Sequence, residues 1–160
     1  MPRIVTASPH ETELAGRLLA PLVQPGDVIA LAGDLGAGKT HLVQGVAQGL
    51  GVEEPVTSPT FNLLLVHPGR LSLYHFDLYR LECEDQLEDI DFFETLESDG
   101  VSMIEWGDRF PAALPDDHLL VQINRIGDDS RTIELTAPGP RSGHLAEAWI
   151  AACDGAGVGT

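Results

Sequence analysis

The chain has 160 residues, 25 of them Asp or Glu against 9 Lys or Arg, for a formal charge of −16. That length and 43% apolar content suffice for one globular domain with a real core and leave no room for a second. The acidity disfavours direct binding of nucleic acid by this chain alone, and no apolar run approaches the ~18 residues of a membrane span.

In chain order, residues 3–6 read as a short strand. Ser8-Pro9-His10-Glu11 then places a hydroxyl cap, a proline at the first helical position and an acid three residues after the cap. The helix so opened would bury Ala15, Leu18, Leu19 and Leu22. Gln24-Pro25-Gly26 turns the chain into 27–32, a short apolar run of the kind that forms a buried parallel strand. Next comes Gly33-Asp34-Leu35-Gly36-Ala37-Gly38-Lys39-Thr40, the G-x-x-x-x-G-K-T spacing of a phosphate loop. Lys39 is the only lysine in a chain that otherwise spells positive charge as arginine. A flexible stem with a compact ammonium suits the β and γ oxygens of a nucleotide, where a planar fork does not. Leu42, Val43, Val46, Ala47 and Leu50 follow at helical spacing, and Gly49 and Gly51 end the helix. Strand, glycine loop and helix in this order aim main-chain N–H groups at phosphate, so nucleotide binding is expected here.

Prolines interrupt residues 55–59; 61–66 and 71–79 then read as two strands of a hairpin turning at 67–70. Alternation puts His75 and Asp77 on one face. Residues 82–99 carry nine carboxylates in eighteen positions, with Leu87, Ile90, Phe93 and Leu96 as the apolar stripe of a helix. This section reads either as a solvated face or as a docking surface for a basic partner. Residues 101–106 form another buried strand ended by Gly107. Residues 119–126 and 131–137 suggest an antiparallel hairpin about Gly127-Asp128-Asp129-Ser130. A last helix is expected over 143–152, and 154–160 as a disordered tail. Cys83 and Cys153 lack Cys-x-x-Cys spacing and read as reduced thiols. With no signal-peptide stretch at the N-terminus, a cytoplasmic location is expected.

A phosphate loop works with magnesium, for which Thr40 supplies a hydroxyl. Asp77 and Glu105, each at the end of an apolar run, are the candidates for a second ligand and for orienting water. The alternative for either acid is an ion pair with Arg80 or Arg109. Thr60, in Ser58-Pro59-Thr60-Phe61, either reaches a γ-phosphate or merely starts a strand. Trp106 is a core aromatic or a wall of the site. No N-K-x-D element is present, which favours ATP over GTP.

Taken together, Gly33 to Thr40, Ser58-Pro59-Thr60-Phe61, His75-Phe76-Asp77-Leu78-Tyr79-Arg80-Leu81 and Ile104-Glu105-Trp106 resemble the TsaE family, the small ATPases of bacterial tRNA threonylcarbamoyladenosine biosynthesis. The resemblance implies one α/β P-loop NTPase-like domain over 1–153, with a mostly parallel central sheet, antiparallel hairpin additions and helices on both faces. It implies an ATPase that acts on a TsaB–TsaD complex to sustain its turnover and does not itself transfer the threonylcarbamoyl group. Carried onto this chain, Gly33, Asp34, Leu35, Gly36, Ala37, Gly38, Lys39, Thr40 and the following His41 would hold ATP. Thr40, Asp77 and Glu105 would hold Mg2+ and the attacking water, Thr60 would sense the γ-phosphate, and Trp106 would flank the site. The rival functions are a phosphotransferase for a small metabolite and a scaffold gated by ATP without hydrolysis.

Overall fold

The computed structural model of the chain describes residues 2–34, 36–57 and 63–159. Its strands are β1 (Arg3–Thr6), β2 (Val28–Ala32), β3 (Leu64–His67), β4 (Leu73–Asp77), β5 (Val101–Glu105), β6 (Leu119–Arg125) and β7 (Arg131–Thr136). They form one sheet in the order β1-β7-β6-β2-β5-β4-β3. The centre is parallel, β2 lying between β5 and β6 with β4 beyond β5, while β1–β7, β6–β7 and β3–β4 pair antiparallel. Central β2 and β5 are buried along their whole length, as near-continuous apolar strands covered on both faces should be.

Alternation along the strands divides the core in two. Ile29, Leu31, Met103 and Val121 meet the helices α1 (Pro9–Leu19), α2 (Lys39–Gly49) and α4 (Pro140–Gly155) on one face. Val28, Phe76 and Ile104 meet the 3-10 segment Glu84–Ile90 and the short α3 (Phe92–Leu96) on the other. The Ser8 hydroxyl accepts from the Glu11 N–H at 3.1 Å, capping α1 as its sequence implies. Between α1 and α2 the contact is glycine-lined: a Cβ on Gly45 would lie 2.0 Å from the Glu13 carbonyl oxygen.

Three expectations are corrected. The acidic section is not one helix, because Asp91 adopts φ +54 and breaks it in two. That break shifts the phase, so Phe92 is buried and Phe93 is exposed, the reverse of the expected stripe. The last helix begins at Pro140, three residues early, because the Asp117 carboxylate caps it from a distant loop. That carboxylate accepts the N–H groups of Arg141 and Ser142 at 2.9 Å each. Residues 154–159 are not a disordered tail: α4 continues to Gly155, and Val158 packs into the core with its N–H bonded to the Cys153 carbonyl. Among the described residues no helix is long and apolar enough to cross a membrane.

Candidate functional site

The carboxyl ends of β2, β4 and β5 converge on one edge, where open parallel sheets place their sites. β2 ends at Ala32 and the glycine loop feeds straight into α2 at Lys39. Gly38 caps that helix with φ 110, a left-handed conformation that a side chain would strain. Lys39 folds back beneath the loop, its Nζ donating to the carbonyls of Gly33 at 2.6 Å and Asp34 at 2.9 Å. It is 5% exposed, and its ammonium lies 4.3 Å from the centre of the Trp106 ring. Burial lowers the Lys39 pKa below the ordinary ammonium value, against the opposing pull of Glu105, Asp77, Asp108 and Asp34.

Asp77 and Glu105 stand opposite each other in the β4–β5 register and so share a face. The Thr40 hydroxyl donates to Glu105 at 3.1 Å from either carboxylate oxygen. Glu105 Oε2 in turn lies 2.5 Å from Nε2 of His75, a residue with no exposed surface. The Nδ1 of His75 has no hydrogen-bond partner among the described residues, and the ring lies 6.4 Å from that of His67. Asp77 is buried and its Oδ1 accepts the Tyr79 main-chain N–H at 2.9 Å. Trp106 takes φ +59, rare for a bulky residue, which turns the end of β5 so that its ring meets both Lys39 and, at 4.9 Å between centroids, Tyr79. Arg109 is spent elsewhere, its Nε donating to the Leu81 carbonyl at 2.6 Å. Over the loop lies a cleft of about 370 Å³, lined by Lys39, Thr40, Asp77, Glu105 and Trp106 together with Pro9, Thr12, Asp129 and Arg131.

The family model described as "Threonylcarbamoyl adenosine biosynthesis protein TsaE" matches residues 6–133. The chain belongs to the TsaE family. It is 43% identical over 143 residues to the tRNA threonylcarbamoyladenosine biosynthesis protein TsaE of Bacillus subtilis, covering 89% of each chain. It is 42% identical over 133 residues to the protein of the same name from Treponema pallidum, covering 83% of this chain and 98% of that one. The crystal structure of Bacillus subtilis YdiB superposes with a TM-score of 0.78 at 37% identity, covering 92% of both chains. The α/β fold with a parallel sheet centre and antiparallel flanks is thus that of a TsaE-family domain.

Most of the residues singled out in the sequence of this TsaE-family chain meet in the cleft. Gly36, Ala37, Gly38, Lys39, Thr40, His41, Asp77, Glu105 and Trp106 all line it, while Gly33 and Asp34 lie behind, holding the lysine. His41 also faces Glu13 of α1 at 3.4 Å. Leu35, Thr60 and the rest of Ser58-Pro59-Thr60-Phe61 lie outside the described residues. Among the described residues no three His, Cys, Asp or Glu side chains converge as a metal cage. One hydroxyl beside one or two carboxylates is instead the sparse oxygen set that magnesium takes, with waters and phosphate oxygens completing its shell. Two participants were not legible in the sequence. His75 shares a face with Asp77 as expected, yet its ring meets Glu105 on the next strand. Arg131 looks like the start of a strand, and its contact to Ala37 spans 94 residues.

Proposed function

We propose that this chain binds ATP with magnesium over the 33–40 loop, hydrolyses it, and thereby sustains turnover of a TsaB–TsaD-type complex making tRNA N6-threonylcarbamoyladenosine. The observation that carries the reading is the connected series Thr40–Glu105–His75 set beside Lys39 at the mouth of the sheet. The names of the relatives supply the pathway, and the charge of −16 favours work on protein partners over work on the tRNA itself.

Lys39 exchanges the Gly33 and Asp34 carbonyls for phosphate oxygens when the nucleotide arrives, which brings negative charge directly onto the buried ammonium. Thr40 with one carboxylate of the Asp77–Glu105 pair would hold the magnesium ion, which when bound would neutralise charge on the phosphate oxygens. The other carboxylate of the pair orients a water and takes its proton as the new O–P bond forms. The bond to the β-phosphate's bridging oxygen breaks, and the electron pair leaves with ADP. Trp106 walls this end from bulk water, and Thr60 senses the γ-phosphate.

Reconstituted synthesis with a TsaB–TsaD pair, tRNA and a threonylcarbamoyl-adenylate supply tests the proposal. With Glu105→Ala, ATP binding should persist while product formation stops near one equivalent per complex. Undiminished multiple turnover with that variant would overturn hydrolysis as the chain's contribution.

A further inference from the structure

Among the described residues three buried side-chain atoms have no hydrogen-bond partner: His67 Nε2, His75 Nδ1 and Ser102 Oγ. A polar atom left unmet in the interior is costly and calls for a reason. Ser102 shares a face of β5 with Ile104, in the core beneath the 3-10 segment and α3. The two imidazole nitrogens lie on the other face, on neighbouring rings. His67 stands opposite Leu73 in the β3–β4 register, and His75 follows Leu73 by one alternation along β4. The ring centroids are 6.4 Å apart with planes tilted by 42°. His67 is 4% exposed and His75 not at all.

Each ring is tied at its other nitrogen to a carboxylate. His67 Nδ1 donates to Glu54 Oε1 at 2.7 Å, and His75 Nε2 to Glu105 Oε2 at 2.5 Å. An ionised carboxylate only accepts, so the bonded nitrogen of each ring is the one that carries the proton. In a neutral imidazole the second nitrogen is then an acceptor. His67 Nε2 and His75 Nδ1 are therefore two acceptors, which cannot bond each other. A small group that donates in two directions satisfies both at once, and between two buried rings that group is a water molecule. The strand order supports the placement: β4 lies between β5 and β3, so Glu105 and His67 flank His75 on opposite sides.

Resting on the hydrolytic reading above, we propose that His67 is a positioning residue for Glu105, joined to His75 by one buried water that donates to both rings. The connection runs from Glu54 through His67, the water and His75 to Glu105 and Thr40, from the surface to the cleft. Glu54, its side chain half exposed, anchors the outer end. With a hydrogen bond at Nε2 alone the His75 ring can turn about that bond. Held at both nitrogens, it fixes the direction in which the Glu105 carboxylate faces.

Three measurements test this on the full chain. Two-bond proton–nitrogen correlation spectra of the 15N-labelled wild type identify the protonated nitrogen of each ring. His67 should carry its proton on Nδ1 and His75 on Nε2. The opposite tautomer on either ring, or two protons on either, would overturn the bridge. A crystal structure of the wild type should place an ordered water within hydrogen-bond distance of both His67 Nε2 and His75 Nδ1; density without one would overturn it equally. The third measurement is steady-state ATP hydrolysis, run well below the melting temperature of each variant. His67→Phe keeps a buried ring and removes both nitrogens. It should lower kcat by about 2- to 10-fold, the scale of one net hydrogen bond. The KM for ATP should not change, because His67 does not line the cleft. His67→Gln, whose amide oxygen accepts from the water in place of Nε2, should keep more of the rate. An unchanged kcat in His67→Phe, or a rate for His67→Gln no higher than for His67→Phe, would overturn the positioning role, since packing alone favours the ring. Absence of ATP hydrolysis by wild type would overturn the hydrolytic reading and the positioning role with it, while the tautomers and the ordered water judge the bridge separately.

Discussion

Replacing His75 by alanine removes the Nε2 contact to Glu105 Oε2 without touching the cleft surface, because His75 is fully buried behind Glu105. In the proposed mechanism His75 acts only through Glu105, fixing the carboxylate that also receives the Thr40 hydroxyl. A buried hydrogen bond to a charged acceptor contributes about 1.5–3 kcal/mol. If that energy holds Glu105 in its reactive orientation, its loss lowers kcat by about 10- to 150-fold. The KM for ATP should change little, since no atom of His75 lines the cleft. Steady-state ATP hydrolysis checks this, run well below the melting temperature of each variant so that the cavity left behind does not confound the rate. His75→Gln, which keeps a side-chain N–H, should recover part of the loss. A kcat within twofold of wild type in His75→Ala, alongside a lowered Tm, would refute the reasoning and reduce His75 to packing.

Further outcomes concern the frame around the site. Trp149 is fully buried and its Nε1 donates to the Ala15 carbonyl at 2.8 Å, joining α4 to α1. Trp149→Ala should destabilise the fold by about 3–5 kcal/mol, and Trp149→Phe by about 0.5–1.5 kcal/mol through the lost hydrogen bond; urea unfolding measures both. Asp117→Ala should cost about 1 kcal/mol as a lost helix cap. Hydrogen bonding from Ser142, first from its side chain, holds the Asp117 pKa below the ordinary 3.8. Its stabilisation is therefore complete above that ordinary value and fades as pH falls through the lower folded-state value. Thermal melts of wild type and variant should differ at neutral pH and converge in acid, once the pH has fallen below the lowered folded-state value. Gly45→Ala should force α1 and α2 apart and cost about 1–3 kcal/mol, read from the shift in urea midpoint.

What the sequence made legible was local. The Ser8 cap, the apolar run of β2, the glycine spacing around Lys39 and the helix behind it each depend on neighbours within a few residues, and each appears where the pattern puts it. The acids Asp77 and Glu105 were recognisable because a carboxylate ending an apolar strand needs a reason to be there. Their register across β4 and β5, which makes them one site, is a property of the sheet. Features set by distant contacts were hidden. The start of α4 depends on Asp117 from another loop, and Gly139 lacks the Cβ that would lie 2.2 Å from the Asp117 carboxyl carbon. The break at Asp91 turned a regular three-residue spacing into two segments of different phase. Val158 packs because the end of α4 returns the chain to β1, where Gly159 nears Ile4 and Val5. Arg131 belongs to the site only because β7 returns beside the glycine loop.

The most direct test of the central claim is magnesium-dependent ATP hydrolysis by wild type beside Lys39→Ala, measured alone and then with a TsaB–TsaD pair. The proposed function predicts slow turnover alone, a marked rise with the pair, and loss of both in Lys39→Ala. Turnover that the pair leaves unmoved, or that survives in Lys39→Ala, would contradict it.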